Sequence, residues 1–143
     1  MRVLGLDIGT KTVGIAISDP LGISAQGITT LERVGIRKDT GKVIDYCREF
    51  GVEKIVAGLP LMMDASDSPQ TEKVREFVTR LENKARSSGL KLSFVFQDER
   101  FTTKIAENVL IEANMRREKR KTIIDRQAAV IILQSYMDAN RRI

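Results

Sequence analysis

Apolar positions run along the chain in two rhythms. Val3-Leu4-Gly5-Leu6 is a short unbroken apolar run, the pattern of a buried strand. Turn residues Gly9-Thr10-Lys11-Thr12 separate it from Val13-Gly14-Ile15-Ala16-Ile17-Ser18, a second strand close enough to form a hairpin with the first. After Asp19-Pro20-Leu21-Gly22, the stretch from Ile23 to Leu31 supplies a third strand. Three strands before any helix predict an antiparallel opening.

The rhythm then lengthens. Between Asp39 and Phe50, the residues Val43, Ile44, Cys47 and Phe50 form a helical stripe, with Gly51 as the stop signal. Lys54 to Leu59 is a short apolar strand. Ser68 opens a helix with Pro69 at its first position and Glu72 as the expected reciprocal cap. Val74, Phe77, Val78, Leu81 and Ala85 follow at spacings of three and four, and Ser88-Gly89 ends the helix. Leu90 to Phe96 reads as a strand running into Gln97-Asp98-Glu99-Arg100. Thr102 or Thr103 caps a helix through Ala113, and a basic loop leads to a last helix from about Thr122 to Asn140. The order β-β-β-α-β-α-β-α-α predicts an α/β fold. A hairpin-led five-stranded mixed sheet continues into right-handed βαβ units, with helices on both faces. No repeat or linker divides residues 1–143, so one domain is expected.

Composition narrows the chemistry. With 42% hydrophobic and 30% charged residues the chain is globular in type. It has no His, which removes Ser-His-Asp and Cys-His nucleophile systems, His-ligated zinc and His general bases. Its single Cys can form neither an internal disulfide nor a Cys-rich metal site, so a reducing, cytoplasmic setting is expected. Met1-Arg2 leads straight into a strand, with no sign of a signal peptide. No apolar run approaches the ~20 residues of a membrane span. Catalysis would have to rest on carboxylates, hydroxyls, Lys, Arg or a metal held by oxygens.

Three places hold such carboxylates. Asp7 follows four strand residues, where a charge costs burial energy unless it is solvated, paired or bound to metal. Asp98 and Glu99 sit at the end of another apolar strand, where open α/β sheets place ligand sites. Asp125 shares a helix face with Ala128, Ala129, Ile132 and Ser135. Singly, each has a plainer reading: a turn-initiating Asp, a strand-end cap, a first-turn acid. Together they form a hard oxygen set suited to Mg²⁺ or Mn²⁺, and two such ions about 4 Å apart can drive phosphodiester hydrolysis.

Charge distribution adds a partner class. The net charge is +5, and most of it lies in Arg116, Arg117, Lys119, Arg120 and Lys121, interrupted only by Glu118. Most short charge runs are solvated loops, but this one lies just before Asp125, where contact with nucleic-acid phosphates is expected. Lys11, Arg100 and Lys104 add charge near the carboxylates.

Four segments in order carry a resemblance. They are Asp7-Ile8-Gly9-Thr10-Lys11-Thr12-Val13-Gly14 with Ser18-Asp19, Gly58-Leu59-Pro60-Leu61 with Asp64 and Ser66, Asp98-Glu99-Arg100-Phe101-Thr102-Thr103, and the Asp125 helix with Ile132-Leu133-Gln134-Ser135-Tyr136. Over nearly the whole chain they resemble the YqgF (RuvX) family, bacterial proteins assigned to pre-16S rRNA processing and also described as Holliday-junction-resolvase-like. The resemblance implies a ribonuclease H-like fold. It implies that Asp7, Asp98 and Asp125 match the acidic positions of the family's metal site, with Glu99 as a fourth acid in catalysis.

The function it implies is a metal-dependent nuclease on structured nucleic acid, processing the 5′ end of pre-16S rRNA as a monomer or homodimer. A Holliday junction resolvase on branched DNA, and a non-catalytic ribosome-assembly or nucleic-acid-binding factor, are the alternatives. Asp7-Ile8-Gly9-Thr10 also resembles the phosphate loop of sugar kinases and actin-like ATPases, but no second phosphate loop follows. The chain departs from the family pattern at Thr12, where a second basic residue is common. It departs again at Met62 and Ala65, which stand where Asn and Gly are usual.

Overall fold

The computed structural model describes residues 2–99 and 117–140, with the backbone alone for 117–127. Strands β1 (Arg2–Ile8), β2 (Thr12–Ser18), β3 (Ala25–Glu32), β4 (Val52–Leu59) and β5 (Ser93–Asp98) form one sheet. Helix α1 (Ile36–Phe50) connects β3 to β4, α2 (Pro69–Ser87) connects β4 to β5, and α3 (Arg117–Asn140) follows. In space the strand order is β3-β2-β1-β4-β5. The β1–β2 and β2–β3 pairs are antiparallel, and the β1–β4 and β4–β5 pairs are parallel. This is the expected mixed sheet: short turns allow only antiparallel neighbours, whereas a helical crossover returns the chain in the same direction.

Both faces are covered. Leu4, Leu6 and Ile8 of β1 pack with Val43, Ile44 and Cys47 of α1 and with Val74, Phe77 and Leu81 of α2. Val3 of β1 and Val56 of β4 pack on the other side with Ala129, Ile132, Leu133 and Met137 of α3. Burial on both faces is why these strands read as continuous apolar runs. α3 lies very close to β1 at Gly5, where a Cβ would sit 2.7 Å from Leu133 Cβ and 3.1 Å from the Ala129 carbonyl oxygen. Buried Ser18 accepts a 2.8 Å hydrogen bond from the Val3 N–H at the irregular start of β1. Cys47 is packing, as its place on the α1 stripe implies; burial pushes its thiol up to about 12.

Several boundaries differ from expectation. α1 begins at Ile36, and Asp39 caps it from inside the first turn by accepting from the Val34 and Gly35 N–H groups at 3.0 and 3.3 Å. α2 is capped reciprocally by Ser68 and Thr71, not Glu72, because Pro69 as the first helical residue makes Thr71 the third. β5 starts at Ser93 rather than Leu90, whose N–H is used to close α2 on the Ala85 carbonyl at 2.9 Å. α3 starts five residues before Thr122, so Arg117, Lys119, Arg120 and Lys121 lie in its first turns and not in a loop. Arg, Lys and Glu are good helix formers, which an apolar-periodicity argument does not register. The helix expected through Ala113, with Arg100, Lys104 and Arg116, lies outside the described residues. Among the described residues, no helix is long and apolar enough to cross a membrane.

Candidate active site

Three parallel strands end at one edge of the sheet. Asp7 is the penultimate residue of β1 and pairs with Gly14 of β2. Beyond Ile8 the chain turns tightly, with the Gly9 N–H donating to the Thr12 carbonyl at 2.8 Å. The register Leu6 with Ala57 sets Gly58 of β4 beside Asp7, and Gly58 and Leu59 pair in turn with Gln97 and Asp98 of β5. The carboxyl ends of parallel strands are where α/β sheets place their ligand sites.

Strand alternation sorts the acids by face. Asp7 lies two positions beyond Gly5 and four beyond Val3, so it faces α3. Gly58, two beyond Val56, faces the same way. Glu99 reaches this face too. Its N–H extends the β4–β5 pairing by donating to the Leu59 carbonyl at 3.2 Å. Its carboxylate lies over Gly58, against the space a Cβ would fill, and Ile132 of α3 closes the same space. Asp98, exposed, alternates to the α2 side, where Phe94 joins the core and the Arg75 guanidinium lies 5.4 Å from the Phe96 ring centre.

The arrangement penalises negative charge. Burial, then the charges of Asp7 and Asp98, push the Glu99 carboxyl up to about 8. A carboxyl desolvated beside two others gains most from a cation, and an all-oxygen donor set favours a hard divalent ion. The residues therefore fit such a group. Among the described residues, no three Asp, Glu or Cys side chains gather closely enough to hold a metal on their own.

The position of Asp125 follows from how α3 is laid down. Tyr136 Oη accepts from Lys54 Nζ at 2.8 Å, and Lys54 pairs with Val3 near the start of β1. Gln134 bonds the Ala25 N–H and the Ile23 carbonyl at the start of β3. Ala129 and Leu133 cover Gly5, further along β1. The helix therefore runs antiparallel to β1, and the turn before Ala129 approaches the Asp7 edge. Position 125 is one turn before Ala129, on the face of Ala129 and Leu133, and its side chain lies outside the described residues. Positions 117–121 lie further along the same line. Lys11 is exposed in the turn after Asp7.

Sequence reasoning passed over a second set of residues at this edge. The Ile8 carbonyl accepts from Gln70 Nε2 at 3.1 Å, and the Gly9 carbonyl accepts from an Arg33 terminal nitrogen at 3.0 Å. Arg33 also pairs through Nε with Asp39 at 3.1 Å and lies 5.1 Å from the Phe77 ring centre. One signal was available: Asp39 falls four residues before Val43 and eight before Cys47, an acid on a buried stripe. Arg33 and Gln70 act on backbone carbonyls and left no pattern.

The sequence and the fold have counterparts. A family model described as RuvX, Holliday junction resolvase, matches residues 1–139. A relative from Clostridium novyi (strain NT), named "Putative pre-16S rRNA nuclease", is 47% identical over 139 residues, covering 97% of this chain and 99% of that protein. One of the same name from Syntrophomonas wolfei subsp. wolfei is 47% identical over 138 residues, covering 96% and 94%. Among solved structures, Thermus thermophilus RuvC in complex with a Holliday junction substrate superposes with a TM-score of 0.59 at 12% identity, covering 98% of this chain and 95% of that one. A fowlpox virus resolvase with Holliday junction DNA superposes with a TM-score of 0.61 at 15% identity, covering 99% and 100%. At such identities these two structures show a shared fold, the ribonuclease H-like sheet expected from the sequence.

Proposed function

The chain belongs to the RuvX family, and from that membership and the carboxylate edge we propose that it is a metal-dependent nuclease acting on the 5′ end of pre-16S rRNA in the cytoplasm. The observation that carries the reading is Glu99, held over Gly58 on the face of Asp7 with its ionisation opposed by burial and by its acidic neighbours. The names of the curated relatives supply the substrate.

In this reading Asp7 and Glu99 hold Mg²⁺ or Mn²⁺ from the sheet and Asp125 holds it from α3. Asp98 contributes negative charge from the outer side. A divalent ion held there, or a pair, would supply activation of the attacking water and stabilisation of the leaving oxygen of the phosphodiester. The chain's part is positional. β1 and the end of β5 fix the two carboxylates, and α3 closes the site against the sheet. Lys11, Arg100 and the basic run Arg116, Arg117, Lys119, Arg120 and Lys121 hold substrate phosphates, giving affinity and orientation without reading sequence. The test is cleavage of a precursor rRNA fragment in Mg²⁺ by purified Asp7→Asn. Loss of cleavage is expected, and retention of the wild-type rate overturns the reading.

A second substrate is favoured by one finding, the family description as Holliday junction resolvase. Offering the same protein a four-way DNA junction and the precursor RNA separates the two. Symmetric cuts in the junction with no RNA cleavage would move the activity to branched DNA, where a homodimer with paired sites is expected.

A further inference from the structure

Two side chains from outside the carboxylate edge grip the two carbonyls that follow Asp7. Gln70, in the first turn of α2, donates to the Ile8 carbonyl at 3.1 Å, and Arg33, between β3 and α1, donates to the Gly9 carbonyl at 3.0 Å. The Arg33 backbone N–H also donates to the Lys11 carbonyl at 2.9 Å. Three of the four carbonyls from Ile8 to Lys11 thus have a donor brought in from another element, or from the chain beyond β3.

Arg33 is itself held in one position. Its Nε meets Asp39, a side chain only 1% exposed that is fixed by the Val34 and Gly35 N–H groups, and its guanidinium lies over Phe77. An exposed glycine- and threonine-containing turn has little packing of its own to fix it. Here its conformation is set by a half-buried ion pair and a helix terminus.

We propose that Arg33, locked by Asp39, and Gln70 are positioning residues that fix the β1–β2 turn and thereby hold the Asp7 carboxylate in the geometry that binds the divalent ion. The inference rests on the metal-dependent reading above. Asp7 immediately precedes the two clamped carbonyls. A rotation of the peptide planes at Ile8 or Gly9 turns the end of β1, and the Asp7 carboxylate with it, relative to Glu99 just past β5. Groups that orient metal ligands from behind change affinity by roughly 10–100-fold when removed. Asp39, Phe77 and the first turn of α2 lie on the α1/α2 side of the sheet, whereas Asp7 and Glu99 face α3, so the clamp acts on the site through the backbone of the turn.

The test is calorimetric titration of Mn²⁺ into the full chain, as wild type, Arg33→Lys and Gln70→Ala, with thermal unfolding of each recorded alongside. Lysine keeps the charge beside Asp39 but loses the rigid fork that reaches Asp39 and the Gly9 carbonyl through separate nitrogens. Alanine at position 70 removes one donor and leaves no buried charge. Weakening of Mn²⁺ binding by roughly tenfold or more in both, with cleavage recovered at high Mn²⁺, is the expected result. Mn²⁺ affinity within twofold of wild type in folded variants overturns the proposal, even if their melting temperatures fall. If Arg33→Lys does not fold, Gln70→Ala decides alone. Failure of the wild type to bind Mn²⁺ overturns the metal reading itself, an outcome distinct from wild-type binding that the variants leave unchanged.

Discussion

The Glu99 carboxylate lies over the backbone of Gly58, in space that any side chain at position 58 would take. The absence of a Cβ at position 58 of β4 is what lets Glu99, one residue past β5, approach Asp7 on β1.

Gly58→Ala should therefore damage the site and the packing together. The added methyl meets both the Glu99 carboxyl and Ile132, and overpacking of this kind costs about 1–3 kcal/mol. Denaturant unfolding should show that loss, and cleavage should fall much further than stability. A variant with wild-type activity would mean that Glu99 has no part in the chemistry.

Glu99→Gln should stabilise the metal-free protein, and only at higher pH. Folding raises the Glu99 carboxyl from 4.5 to about 8, with burial as the first cause and Asp7 and Asp98 next. The folded state thus holds the proton more tightly, and stability declines as pH rises between those values. The difference between variant and wild type should be near zero below about pH 4.5, grow through the interval, and level off above about pH 8. Melting temperatures across that range in chelator give the answer, and a pH-independent difference contradicts it. Mg²⁺ should stabilise the wild type more than the variant.

Asp39 has the opposite sign. Burial alone would raise its carboxyl, but hydrogen bonds from Val34, Arg33 and Gly35, with the Arg33 charge, outweigh burial and hold it below the usual range. Its contribution is present in full above the unfolded value and lost as pH falls through the folded one. Asp39→Asn should cost about 2–4 kcal/mol at neutral pH, discounted from a fully buried pair because Arg33 is partly exposed. That cost should shrink in acid below about pH 4. A constant cost down to pH 2.5 would contradict the ion-pair account.

Ala65 has a positive φ of 69° in the loop after β4. Its N–H donates to the Met62 carbonyl at 2.8 Å, and the Met62 N–H donates to the Ser66 carbonyl at 2.9 Å, so the loop fixes this conformation. The Gly usual at this position in the family takes a left-handed conformation without strain. Ala65→Gly should stabilise the protein by about 0.5–1 kcal/mol, raising the melting temperature by roughly 2–4 °C. A decrease would mean that the loop is not held in this form.

What the sequence disclosed depended on the kind of signal each residue leaves. Unbroken apolar runs and a change of period sufficed for the sheet and for α1 and α2, since burial on both faces requires them. Gly51, with φ of 63°, ends α1 where expected. Boundaries set by side-chain hydrogen bonds were displaced, as at Asp39, which caps α1 from within, and at Thr71, which answers Ser68 in place of Glu72. The start of α3 was missed because a run of Arg, Lys and Glu carries helix propensity without apolar period. At the site, Asp7 and the Asp98-Glu99 pair were legible as acids at strand ends. Which of the pair faces α3 was not, because that depends on the register of β5 against β4. Arg33 and Gln70 were invisible, since their targets are carbonyls that every residue possesses.

In the proposed function Asp7, Glu99 and Asp125 share a divalent ion. Anomalous diffraction at the manganese edge, from crystals soaked in Mn²⁺ with a non-cleavable nucleic-acid fragment bound, tests it most directly. The expected result is a peak within coordination distance of Asp7 and Glu99 on the α3 face, lost in Asp7→Asn. A peak confined to other carboxylates, or none with the fragment in place, would contradict it.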